Sequence, residues 1–235
     1  MVHSSLILAS ASPRRSELLQ SLGLTFEVDP PGLEEDLDPS QPPECETIRL
    51  AKGKARAVQG RASIGAALVA ADSLVVLGNK LLTKPASPRA AAEMLRALRG
   101  REHRVVTGVA VARAKLVVSG SRTTCVTMRE YSDEEIEAYV GSGDPMDKAG
   151  AYAIQHPQFR PVASIDGCYC NVVGLPLGLV VRLLDEAGVP HPVLNRPPQC
   201  STCPDWDAPD GSRNVIAPPS PMDEVPSLKE GSPAP

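Results

Sequence analysis

With 235 residues the chain is long enough to bury a sizeable core, as one domain or two small ones. Its net charge of −4 gives no global electrostatic case for binding nucleic acid or a membrane surface. No apolar stretch approaches the ~18–20 residues that cross a bilayer. "SLILASAS" has too short an apolar core for a secretory leader, so a cytosolic protein is expected.

In chain order, Leu6–Ala9 reads as a strand and Pro13–Leu22 as a helix, with Ser12 as N-cap, Pro13 at the first helical position and Gly23 as the stop. A short strand at Thr25–Val28 and a Pro/acid-rich loop over 29–43 follow. The next helix, over 44–59, has Ile48, Ala51, Ala55 and Val58 on one face. "ALVAADSLVVLG" reads as two buried strands around Asp72-Ser73, which places Asp72 at the carboxyl end of the first. Ser87-Pro88 opens a helix to Leu98, and "HRVVTGVAVAR" with "LVVSGSRTTCVTMR" reads as a long strand pair. Ser132 and Glu135 form a capping box ahead of a helix over Asp133–Val140. A strand near 159–166 and a helix over 176–187 complete an α/β pattern, and the hairpin-like middle argues against a purely parallel sheet.

Composition changes near Gly188. Twelve of the 24 prolines fall in the last 46 residues, with few branched aliphatics, so this tail lacks the apolar surface to offset its ordering entropy. A body over 1–188 and a disordered tail over 189–235 are expected, with Trp206 the one residue able to anchor the tail. Without a secretion signal, the six cysteines are expected to be free thiols. "QCSTC" is half of many zinc sites. The other half would be Cys168-Tyr169-Cys170, whose one-residue spacing is wrong, so the zinc reading is set aside.

Arg14 and Arg15 stand in the first turn of a helix, where the dipole disfavours cations by roughly 0.3–1 kcal/mol each. An anion held there explains them, because guanidinium forks and helix N-terminal N–H groups both suit phosphate oxygens. The competing explanation is a plain surface ion pair with the acids at 34–36. Asp72 could be a ligand-facing acid or an ordinary turn aspartate, and Glu34 a metal ligand or a solvated loop acid. Lys52 and Lys54 would normally face solvent from their helix. Lys84 precedes Pro85 and therefore has extended backbone, while Gln155 ends an apolar run. Together these residues suggest a triphosphate site.

"LILASASPRRSELL", "LAKGKARAV", "AADSLVVLG", "TKP", "MLRALRGREHRVVTGVAV", "SDEEIEAYV", "DPMDKAGAYAIQ" and "NVVGLPL" occur in the order and spacing of the Maf family, which residues 5 to about 188 resemble. The resemblance implies an elongated mixed α/β fold like that of inosine triphosphate pyrophosphatases, with two lobes around a cleft. It also implies a metal-dependent (Mg²⁺ or Mn²⁺) nucleoside triphosphate pyrophosphatase that often forms homodimers. The family's phosphate-binding residues fall on Ser10, Arg14, Arg15, Lys54 and Lys84, its catalytic aspartate on Asp72 and its further acid on Glu34. Glu34 and Asp72 would hold the metal. Arg14, Ser73 and Gln155 match the pocket positions of the group acting on dTTP and UTP. The family's Gly-Ile-Gln-Gly and Gly-Asp-Tyr are "AIQH" and "GCYC" here: Ala153 and His156 replace glycines, Cys168 replaces an aspartate, and Cys125 fills a position that is usually acidic. Those departures keep open a catalytically weak or inactive nucleotide-binding regulator. The Pro-rich tail raises a third reading, an interaction protein.

Overall fold

The computed structural model describes residues 5–33, 36–201, 203 and 206. Seven strands form one mixed sheet: β1 (Leu6–Leu8), β2 (Glu27–Val28), β3 (Ala67–Leu77), β4 (Lys80–Leu82), β5 (Glu102–Arg113), β6 (Leu116–Met128) and β7 (Val162–Asp166). Their order is β2-β1-β3-β5-β6-β7, with β4 also on β3. β1 lies parallel to β2 and β3, and the remaining pairs are antiparallel. The helices are α1 (Pro13–Ser21), α2 (Pro43–Gln59), α3 (Pro88–Leu98), α4 (Asp133–Gly141), α5 (Tyr169–Val173) and α6 (Leu177–Glu186). The expected mixed α/β fold with flanking helices, the β5–β6 hairpin and the Ser132–Glu135 capping box are all present. No described helix is long and apolar enough to cross a membrane.

Alternation along β3 assigns its side chains to two faces. Leu68 and Ala70 join Ala51, Ala55 and Val58 of α2 in one core layer. Ala67, Val69 and Ala71 face the other way, toward Leu18, Leu19 and Leu22 near α1 and Leu179, Val180 and Leu183 of α6. A third cluster, around Val75, Leu82, Leu95, Leu98, Ile136 and Tyr139, fills the far end under α3 and α4. Covered on both faces, β3 reads as a near-continuous apolar run.

β3 is one strand of 11 residues, not two, and Asp72 stands in its middle rather than at an end. Polar residues survive there because each has a partner: buried Lys54 for Asp72, and buried Thr107 and part-buried Arg15 for Ser73. α5 was not anticipated from the sequence, and its five residues are too few to show a helical period. Ser12 has the expected extended N-cap backbone, yet its hydroxyl caps nothing; its own N–H donates to Ser10 Oγ at 3.2 Å.

The boundary expected at 188 does not end the packed structure. Val189, Cys200 and Cys203 are buried, Leu194 and Trp206 pack on the α1/α6 core, and the Asn195 N–H donates to the Leu22 carbonyl at 3.1 Å. Beyond Trp206 the expected disordered tail lies outside the described residues.

Gly108 of β5 sits opposite Asp72 and faces α2, where an added Cβ would stand 2.3 Å from the Thr47 backbone carbonyl carbon. That approach presses α2 onto the sheet. Gly108→Ala should therefore destabilise the protein by about 1–3 kcal/mol. Gly53→Ala, within α2 itself with open space around it, should stabilise by about 0.5–1 kcal/mol. Urea unfolding of both variants checks the pair.

His103 of β5 is buried, its Nε2 2.8 Å from the Tyr152 hydroxyl, and burial pushes its pKa down to about 4. Unfolding lets it take a proton near pH 6.5, so stability falls as pH drops from about 6.5 to about 4, by at most about 3 kcal/mol. The unfolding free energy of His103→Gln should decline less steeply across that window than that of the wild type. Parallel profiles would exclude His103 as the cause.

Candidate active site

On one edge β1 covers β3 from Ala67 to Val69, and β4 covers it from Val75 to Leu77. Between these pairings that edge stays open, while β5 covers the opposite edge throughout. A cleft of about 550 Å³ opens at the gap. Successive side chains of a strand point to opposite faces, yet Asp72 and Ser73 both line this cleft because it wraps around the open edge. It is bounded by the β1–α1 turn and the start of α1, by Lys54 of α2, by Lys84 after β4, and by the 147–155 segment.

On the α2 side, Lys54 Nζ forms an ion pair with Asp72 Oδ1, and both side chains are nearly inaccessible. A pair so desolvated is held by geometry, since removing either partner strands a buried charge. On the other side, Arg15 donates from Nε to the Gly174 carbonyl at 2.9 Å, from Nη1 to Ser10 Oγ at 3.4 Å and from Nη2 to Ser73 Oγ at 3.1 Å. Thr107 Oγ1 donates to the Asn171 carbonyl at 3.2 Å, so the 2.9 Å contact with Ser73 uses the serine proton. The direction of the chain is thereby set as Arg15 to Ser73 to Thr107 to Asn171.

Arg14 reaches across the cleft to Asp147, Nη1 to Oδ2 at 2.9 Å. Lys148, buried at 8% exposure, donates to Asp147 Oδ1 at 2.7 Å and lies 3.0 Å from Asp144 Oδ1. Burial tends to raise the Asp147 pKa, but hydrogen bonds from Lys148 and Arg14 outweigh it and hold the carboxyl below its ordinary range. Asp144 is likewise held low against burial by Tyr139 and Lys148.

Ser10, Arg14, Arg15, Lys54, Asp72, Ser73, Lys84 and Gln155 therefore come together around one cleft. Glu34 lies outside the described residues, as does Glu35. Asp147, Lys148, Thr107 and Asn171 were not singled out beforehand. Asp147 and Lys148 do lie in "DPMDKAGAYAIQ", and Asn171 opens "NVVGLPL". The departures from the family pattern sit off the chemistry or are unstrained. Cys168 is buried against Cys203, away from the cleft lining, and Cys125 pairs in register with Asp166 of β7. Neither Ala153 nor His156 has a positive φ, so neither position requires glycine.

Five cationic side chains, Arg14, Arg15, Lys54, Lys84 and Lys148, line a cleft with two described carboxylates, Asp72 and Asp147. Such a cleft suits a polyanion. No group of three or more metal-ligating side chains is placed there among the described residues. Asp72 supplies one hard oxygen donor, which fits Mg²⁺, an ion that takes one or two carboxylates and fills its other positions with water and substrate phosphates.

The family model described as "Maf-like protein" matches residues 5–187. The chain is 50% identical over 203 residues to the dTTP/UTP pyrophosphatase of Thermomicrobium roseum, covering 85% of this chain and 93% of that protein. It is 46% identical to the dTTP/UTP pyrophosphatase of Gloeobacter violaceus (77% and 95% covered) and 44% identical to that of Escherichia coli O157:H7 (78% and 93% covered). A match of this length, with the motif residues gathered around one cationic cleft, makes the chain a member of the Maf-like family.

Proposed function

We propose that this protein hydrolyses nucleoside triphosphates, with dTTP and UTP as its substrates, to nucleoside monophosphate and pyrophosphate. The observation that carries the reading is the cationic cleft built around Asp72, and the names of the relatives support it. In the reaction a water oxygen bonds to the α-phosphorus, the bridging oxygen leaves with the electron pair as pyrophosphate, and Asp72 takes the water's proton. Lys54 fixes the Asp72 carboxylate. Arg14, Lys84 and Lys148 surround the triphosphate and offset the charge that grows on the leaving group. Ser10 and Ser73 hold Arg15, so the Ser73 hydroxyl acts through the guanidinium rather than by reading the base. Mg²⁺ or Mn²⁺, held by Asp72 with Glu34 as a second ligand, would acidify water and spread charge over the phosphates.

Gln155 lines the cleft just past Ala153 and Ile154. Its amide offers an adjacent donor and acceptor, the complement of a uracil or thymine edge. The regulator reading rests on the departures from the family pattern, of which Ala153 lines the cleft while Cys125, His156 and Cys168 do not.

A panel of standard and modified nucleoside triphosphates, assayed for pyrophosphate release, tests the reading. Highest kcat/KM on dTTP and UTP is expected, and no release from any of them would overturn it. Asp72→Asn should lower kcat by about 10²–10⁴-fold while circular dichroism still reports a folded protein. Near-normal turnover would remove Asp72 from the chemistry. For Gln155→Glu, kcat/KM on UTP should fall about tenfold or more, with GTP much less affected, because a carboxylate has no donor for the base edge. Equal losses on the two nucleotides would show that Gln155 does not read the base.

A further inference from the structure

Away from the cleft, four cysteines converge. Cys168 and Cys170 flank the start of α5; Cys200 ends the short 3₁₀ turn Pro198–Cys200, and Cys203 follows it. Their exposures are 1%, 0%, 0% and 3%. Cys170 Sγ is 3.2 Å from Cys200 Sγ, and Cys203 Sγ is 3.5 Å from Cys168 Sγ. Cys168 also interacts with Cys170, and Cys200 with Cys203, so the four thiols form one cluster. The one-residue spacing of Cys168 and Cys170 is no obstacle. Cys168 has extended backbone (φ −104°, ψ 117°) and Cys170 is helical, so the chain turns between them.

Two cations stand near the cluster. Arg122 of β6 is buried and interacts with Cys168 and Cys203, and Arg182 of α6 stands close enough to oppose its charge. The Asn171 and Trp206 backbone N–H groups donate to the Cys168 and Cys203 carbonyls at 3.1 and 3.2 Å, which fixes the turn at each cysteine. Two disulfides would be neutral and would have no use for two guanidinium groups. Four thiolates around one divalent ion carry a net charge of −2, which those groups balance.

We propose that Cys168, Cys170, Cys200 and Cys203 bind one zinc ion as a closed tetrathiolate site that clamps the segment after α6 onto the sheet. The sulfurs stand closer than ligands would, and as placed no group of three or more His, Cys, Asp or Glu among the described residues, this one included, has the spacing to hold an ion. With Zn–S at about 2.3 Å, tetrahedral ligands lie about 3.8 Å apart. Widening the 3.2 and 3.5 Å contacts by about 0.6 and 0.3 Å brings them to that spacing. Soft thiolate donors in a closed, buried set select zinc over the hard ion suited to the cleft. The inference is independent of the nucleotide chemistry.

The test uses the full chain purified from zinc-supplemented culture and dialysed against metal-free buffer. Elemental analysis should find one zinc per chain, and exchange with Co²⁺ should give the visible d–d and thiolate charge-transfer bands of a tetrahedral sulfur site. The Cys200→Ser, Cys203→Ser double variant should lose both signals, whereas Cys45→Ser, Cys125→Ser should keep them. Less than about one zinc per ten wild-type chains, with no Co²⁺ bands, overturns the proposal. Thiol titration of the denatured wild type then shows what replaces it: six reactive thiols mean a metal-free cluster, and two mean a pair of disulfides.

Discussion

The buried ion pair between Lys54 and Asp72 is the constraint on which the rest of the site depends. Two charges that have left water must meet at contact distance or destabilise the protein by several kcal/mol, so the helix carrying Lys54 has little freedom to drift. Gly108, opposite Asp72 in the sheet, lets the α2 backbone descend to the depth at which a lysine spans the gap. Ala51, Ala55, Ala70 and Ala110 keep the same interface thin. Small residues between α2 and the sheet and the depth of the charge pair are thus one arrangement.

The opposite face solves a different problem. Arg15 has to offer a positive charge to the cleft while its long side chain stays in one place. Its contacts with Gly174, Ser10 and Ser73 fix the guanidinium, and the hydroxyl relay through Thr107 to the Asn171 carbonyl fixes Ser73 in turn. Arg14 is held more loosely, by a single exposed aspartate. Neighbouring arginines in one turn therefore differ in kind: one is built into the wall, and the other is free to exchange a weak surface partner for a ligand.

Much of this was legible in the sequence. The misplaced charge at the start of α1 pointed to an anion, and long β-branched runs pointed to the β5–β6 hairpin. Composition was less reliable after Gly188, because a Pro-rich segment can still pack when a few residues such as Leu194, Cys200 and Trp206 are paired with the right surface. The continuity of β3 was hidden because Asp72-Ser73 looks like a turn until its buried partners are known. The thiol cluster was hidden for a related reason. Spacing rules describe how far apart ligands sit along the chain, whereas here a change from extended to helical backbone sets their distance in space.

The gap in the edge of β3 also bears on how the protein stays apart from its neighbours. An unpaired strand edge deep in a hydrophobic sheet is a template for another chain, and natural sheets shorten, charge or cover such edges. Here β1 and β4 leave only the five residues between Val69 and Val75 uncovered. Asp72 and Ser73 make even that stretch polar, and Lys54 and Arg15 crowd it with charge. The same residues that attract a small polyanion therefore repel a polypeptide backbone, and the opening that admits a ligand does not become a site of aggregation.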